Sequence, residues 1–375
     1  MLFKDGLTHL RHCIPSSALA TALVALAACG TLPAADNSPY VGAEACGSCH
    51  PQQLASTSAS GHARSLHPAA DHPLAASFPS EEWLVRATEY RLRFRRAGEQ
   101  IRAEGFDDNN TMDIPVDWAF GAGDQAVTFV TRVDADWYLE HYQSYYAALG
   151  TMAPTAGHQQ LRPQSLPEAM GLPYRTLDPQ TGILGCFECH STGPVAIGPE
   201  QRLQPAERGV RCEACHGPGQ QHVTAAKNSE PAEARQTIQN PARFPATQVN
   251  EFCGRCHRPP ASDGVTIDWN YSWNVRHQPV YLSQSKCFTE SEGRLSCFTC
   301  HEPHEPLRRD AASYNERCAN CHDGAAAKPP EQPCLVNPSS NCIDCHMPRV
   351  TPQPPLRFTN HWIGVYRDGA KLKPL

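Results

Sequence analysis

The chain is poor in the material of a conventional core. Of its 375 residues only 8% are aromatic, 34 are proline, and mean hydropathy is -0.48. A chain this polar and this interrupted cannot bury much aliphatic surface per residue, so aliphatic packing alone does not offset the entropy of ordering it. A basic surplus is missing too. The formal net charge of -6 removes the electrostatic footprint of a nucleic-acid binder, and no nucleic-acid partner is expected. Long apolar runs are also absent: the mostly apolar stretch from Ala18 to Ala28 is too short to span a bilayer, and no other segment could cross one. What the chain has in excess is cysteine, at 18 residues.

Fourteen of those cysteines fall into seven copies of Cys-x-x-Cys-His. The pairs are Cys46 and Cys49, Cys186 and Cys189, Cys212 and Cys215, Cys253 and Cys256, Cys297 and Cys300, Cys318 and Cys321, and Cys342 and Cys345. The histidines that follow are His50, His190, His216, His257, His301, His322 and His346. Two thiols at this spacing can add to the two vinyl groups on one haem edge, and the adjacent imidazole then binds the iron. Zinc knuckles do not require a histidine after every second cysteine. Iron–sulfur sites use other spacings. Seven knuckles out of seven followed by histidine imply seven covalently attached haems c. Their propionates would add about fourteen negative charges, some of them paired with arginine.

Covalent haem attachment happens outside the cytoplasm, and the N-terminus fits export. Residues 1–28 read as a signal peptide, with Lys4 and Arg11 ahead of the apolar run. Leu26-Ala27-Ala28-Cys29 resembles a lipobox, which makes Cys29 the lipidation candidate and lipid the expected membrane anchor. The alternative is an ordinary secreted protein cut nearby. Either way the location is the periplasm, the outer membrane or the cell surface. Cys287 and Cys334 remain in the mature body. An even leftover count in an oxidising compartment fits a disulfide, with two unpaired buried thiols as the alternative.

Each six-coordinate iron also needs a distal ligand. Nine histidines lie outside the motifs and the leader: His62, His67, His72, His141, His158, His222, His277, His304 and His361. His304 lies three residues beyond His301, a span of about 10 Å at most, too short to pass round a macrocycle. It should therefore reach a neighbouring haem, and His222 should do likewise. With His62, His361 and His158 these are the candidate distal ligands. His67, His72 and His141 are expected to be solvated. Met112, Met152, Met170 and Met347 are read as packing residues.

The motif spacing divides the chain. Residues 29–81 carry the first haem, 149–350 carry haems two to seven, and 351–375 form a tail with His361. Between the first and second motifs, Tyr90–Phe94, Ile101–Ala103, Val127–Val130 and Trp137–Leu139 alternate or run β-branched around turn residues. A small antiparallel β module is expected over 82–148, suited to a structural role or to docking a partner. Gly121-Ala122-Gly123 with Ala126 matches the weak form of a dinucleotide fingerprint, but leads into a β-branched run and reads as a turn. The expected fold is a mainly α and irregular multihaem cytochrome c, with a haem-stack core, little regular structure and this β module.

The motifs and their surroundings resemble the bacterial multihaem cytochromes c with doubled Cys-x-x-Cys-His motifs, related to the tetrahaem electron acceptor of hydroxylamine oxidoreductase. The pieces that carry the resemblance are Tyr40-Val41-Gly42, Ser60-Gly61-His62-Ala63, Cys186–His190, Gly209–Gly219, Cys297–His301 and Cys345-His346-Met347-Pro348. It implies ligand roles for His62, His222, His304 and His361 and supports a Cys287–Cys334 bridge. It further implies electron transfer among redox partner proteins of the cell envelope. The alternative is a catalytic multihaem oxidoreductase acting on a small nitrogen or sulfur compound at one five-coordinate haem. Related nitrite reductases mark that haem with lysine, and no Cys-x-x-Cys-Lys occurs here. No catalytic residue is assigned.

Overall fold

The computed structural model describes residues 38–77, 83–84, 89–178, 182–258, 267–322, 341–367 and 369–375. Apart from Ser38, these belong to one unit, Pro39–Leu375. The leader, Cys29 and Cys334 lie outside the described residues, so the anchor and the disulfide rest on the sequence alone.

After two short helices, Ala43–Gly47 and Pro51–Ser58, strands dominate the N-terminal half. In chain order they are β1 (Leu66–Pro68), β2 (Trp83–Leu84), β3 (Arg91–Ala97), β4 (Gln100–Phe106), β5 (Thr111–Val116), β6 (Trp118–Phe120), β7 (Ala126–Asp134), β8 (Trp137–Tyr146), β9 (Thr151–Pro154) and β10 (Gly171–Arg175). One sheet runs β2-β3-β4-β5. The other runs β1-β6-β7-β8-β10, with β9 also beside β8. Every pairing is antiparallel. The β3–β4 hairpin turns through Gly98, at φ +60°, where a tight two-residue loop favours glycine. Alternation then aims Leu92, Phe94, Ile101 and Ala103 inward. They meet Val127, Phe129, Leu139 and Tyr142 of the larger sheet, and Leu166 and Met170 complete the cluster.

The sheets extend well beyond the alternating segments read from the sequence. β1 and β10 each carry a proline, Pro68 and Pro173, and neither alternates. Such strands are tolerated at sheet edges, and β1 and β10 are the two edges of the larger sheet. Two more hairpins follow, β11 (Ser191–Ile197) with β12 (Leu203–Arg208) and β13 (Arg349–Gln353) with β14 (Leu356–Thr359). The described chain therefore holds more sheet than a mainly helical and irregular fold. Gly121-Ala122-Gly123 is the turn joining β6 to β7. Gly121 has φ +118°, and a Cβ there would lie 2.4 Å from the Ala126 carbonyl oxygen.

A second cluster joins the larger sheet to the second cysteine motif. Phe187, fully buried, meets Trp118, Phe120 and Tyr138 edge-on at ring-centre distances of 5.3, 5.1 and 6.2 Å. A third, smaller cluster (Val275, Val280, Tyr281 and Val350) packs the C-terminal hairpin, with Trp269 and Trp362 against it. No helix among the described residues is long and apolar enough to cross a membrane.

Candidate haem-binding residues

Each of the seven motifs falls on a helical turn. The helices are Ala43–Gly47, Leu184–His190, Cys212–His216, Ala246–His257, Cys297–Cys300, Ala311–His322 and Cys342–His346. In the first motif the turn runs on past the helix, with the His50 N–H donating to the Cys46 carbonyl at 2.9 Å. Residues three apart on a helix share a face, so both thiols of a motif point the same way. The fifth motif is fixed locally by a capping box between Ser296 and Thr299.

The imidazoles are held in one tautomer. His190, His216 and His346 donate Nδ1–H to the carbonyls of Ser65, Gln239 and Gly364 at 3.1, 2.8 and 2.8 Å. His222 and His361 do the same to Ala234 and Thr359 at 2.7 and 3.0 Å, and His304 donates to the Glu302 carboxylate at 2.9 Å. A bond at Nδ1 leaves the Nε2 lone pair bare, the state that ligates a metal. Burial lowers the pKa of His62, His190, His216, His257 and His301 and takes His361 down to about 4, with neighbouring imidazoles adding to it for all but His257. These rings are neutral at pH 7.

Four of the candidate distal histidines face motif histidines. Ring centres are 6.4 Å apart for His50 and His222, 6.0 Å for His62 and His257, 6.1 Å for His216 and His304, and 6.3 Å for His301 and His361. Parallel rings stacked in direct contact would stand closer, with carbons at about 3.5–4.0 Å, whereas edge-on rings in contact also reach about 6 Å. A ligating nitrogen sits about 2.0 Å from its metal and about 1.1 Å from its own ring centre, so two rings across one ion stand roughly 6 Å apart. All four pairs have that spacing. Among the described residues no histidine ring stands so opposite His190, His322 or His346. A bare-ion site is a poorer fit: no group of three or more His, Cys, Asp or Glu converges among the described residues, where zinc needs four ligands.

His158 is placed differently. It is fully buried, and its Nε2 bonds Glu140 Oε2 at 3.0 Å; the Tyr174 hydroxyl donates to the same oxygen at 3.2 Å. His72 and His141 are buried too, against the expectation of solvated rings. His141 Nε2 pairs with the Thr131 hydroxyl at 2.7 Å, and His72 Nε2 with the Gly121 carbonyl at 3.2 Å. Burial takes their pKa down to about 3 and about 4, so they act as neutral core residues. A sheet interior that satisfies an imidazole's nitrogens can bury it at little cost. His67 is half-buried, with its Nε2 enclosed and unpartnered. Met112, Met152 and Met170 pack in or against the β core.

Two positioning residues escaped the sequence reading. Glu213, inside the third motif and 3% exposed, accepts the backbone N–H groups of Val41, Gly42 and Gly219 at 3.0, 2.8 and 2.7 Å. Gly209, at φ +78°, lets the chain pass Ala63, where a Cβ would lie 2.0 Å from the Ala63 carbonyl oxygen, and Val210 N–H then bonds the His62 carbonyl at 2.9 Å. A buried acid between two cysteines was the available signal for the first. Nothing local marks the second.

In sequence the chain is similar to known multihaem c-type cytochromes. A family profile described as cytochrome c554 and c-prime matches residues 158–217. The C-type polyheme cytochrome OmcC of Geobacter sulfurreducens is 29% identical over a 161-residue alignment that covers 32% of this chain and 20% of that protein. The multiheme cytochrome MtrA of Shewanella baltica is 26% identical over 194 residues, 46% of this chain and 55% of that one. The chain thus matches about a fifth and about half of the lengths of these relatives. Among solved structures, the outer cell wall cytochrome OcwA is similar at a TM-score of 0.47 and 18% identity, over 87% of this chain and 80% of that one.

Proposed function

We propose that this chain is an electron-transfer cytochrome of the bacterial cell envelope with seven covalently attached haems c. The fourteen motif cysteines fasten them and the seven motif histidines bind the irons. His222, His62, His304 and His361 are the distal ligands opposite His50, His257, His216 and His301. The four facing imidazole pairs at 6.0–6.4 Å carry this reading. Haem held between two imidazoles supplies low-potential, one-electron chemistry at an iron closed to substrate.

The protein's own contribution is placement and tuning. Backbone carbonyls fix the tautomer of five of the named histidines, and burial keeps His190, His216 and His361 neutral. Export suits covalent haem attachment, and Leu26-Ala27-Ala28-Cys29 supports a lipid anchor facing redox partners in the periplasm or at the outer surface. The resemblance to the tetrahaem acceptor of hydroxylamine oxidoreductase supports the same role. Electron paramagnetic resonance of the oxidised holoprotein tests the assignment. At least four low-spin irons are expected, one for each facing pair. Fewer than four would overturn it.

A further inference from the structure

We propose that the seven attachment sites form a branched chain, in which the fourth, Cys253–His257, is a three-way junction joining the second, third and fifth. The line runs first, third, fourth, fifth, sixth, seventh, and the second site is a spur on the fourth. This deepens the electron-transfer reading above and rests on it.

Order in sequence is not order in space here. The Ala43–Gly47 helix of the first motif packs on the Cys212–His216 helix of the third, and the Cys46 and Cys212 side chains lie close enough to interact. The third motif reaches the fourth through Cys215, which lies within electrostatic range of Cys253. The fourth then brings two side chains close to those of other motifs, Cys253 to Cys297 of the fifth and Cys256 to Cys189 of the second. Its helix, Ala246–His257, also packs on Cys297–Cys300. From the fifth motif the line continues by helix packing. Cys297–Cys300 lies on Ala311–His322, which lies on Cys342–His346, with Cys300 close to Cys321 and Cys318 beside Cys342.

The imidazoles repeat the pattern. His62 faces His257 of the fourth motif and is also close enough to interact electrostatically with His301 of the fifth and His190 of the second. The second site approaches the fourth through both residue types, Cys189 beside Cys256 and His190 near His257. Its other side is sealed by the larger sheet, where Phe187 is fully buried against Trp118, Phe120 and Tyr138.

The consequence is kinetic. Electron tunnelling falls steeply with edge-to-edge distance, and attachment sites whose cysteines lie side by side would hold their haems near one another. A spur on the fourth site gives the line a branch that ends beside the larger sheet, apart from the first and the seventh site. The chain then has three ends rather than two.

An iron anomalous difference map from crystals of the wild-type holoprotein tests this directly. The expected map has the fourth iron with three nearest iron neighbours, the second iron with the fourth as its single nearest neighbour, and the first and seventh at opposite ends. A second iron nearer to any other than the fourth, or a fourth iron with only two such neighbours, would overturn the branch. A map with fewer than seven irons would instead overturn the haem assignment beneath it.

Discussion

The carboxylate of Glu213 accepts the backbone N–H of Gly219 at 2.7 Å, from inside the third cysteine motif. The same side chain takes the amides of Val41 and Gly42, which lead into the first motif. Gly219 opens the helix Gln220–Lys227 that carries His222, and His222 faces His50. One buried acid therefore ties together the approach to the first motif, the third motif and the helix that bears the distal ring.

Glu213→Ala removes the acceptor from three amides at once. A buried N–H left without a partner costs about 1–3 kcal/mol. The variant should lose at least about 2 kcal/mol in guanidinium denaturation, and a high-spin signal should appear from the iron held by His50. Glu213→Gln, which keeps an acceptor oxygen, should fall between the two. Wild-type stability in the alanine variant would rule out the tie.

His304 is half-exposed, so its loss should not cost the fold. His304→Ala is expected to keep all seven haems attached while one iron, that of His216, becomes able to bind carbon monoxide. The visible spectrum under carbon monoxide reads this out. No new binding would remove His304 from the ligand set.

Phe187 lies at the seam between the larger sheet and the second motif. Phe187→Ala should destabilise the holoprotein by about 3–5 kcal/mol, the usual cost of emptying a buried aromatic site. A change below about 1 kcal/mol would show that the seam is not packed this way.

Acid should weaken the smaller sheet. Burial pushes the Glu104 carboxyl up, but hydrogen bonds from Arg95 and Arg93 outweigh it and hold the group below its ordinary range. A carboxylate whose pKa is lower folded than unfolded adds stability above the unfolded value, about 4.3 for glutamate. That contribution is lost as pH falls through the folded value. Stability should drop on acidification below about pH 5, and Glu104→Gln should flatten that part of the profile. Identical profiles for the two proteins would contradict the linkage.

Much of the site could be read from the residues, because covalent haem chemistry writes itself as a short local pattern. His304 is an example: its distance along the chain from His301 pointed to a neighbouring site, and its ring stands 6.1 Å from that of His216. Long-range relations were less legible. β1 and β10 are edge strands with prolines, and only their partners make them strands. His141 gives no sequence sign of burial, because the Thr131 hydroxyl that satisfies it sits on the adjacent strand, β7. The order of the motifs in space depends on contacts such as Cys189 with Cys256, 67 residues apart, which no periodicity encodes.

The most direct measurement is the intact mass of the exported, matured polypeptide, taken after denaturation so that only covalently bound groups remain. The added mass should equal seven haems, one for each Cys-x-x-Cys-His motif. A polypeptide without added porphyrin, or with fewer than seven, would contradict the account.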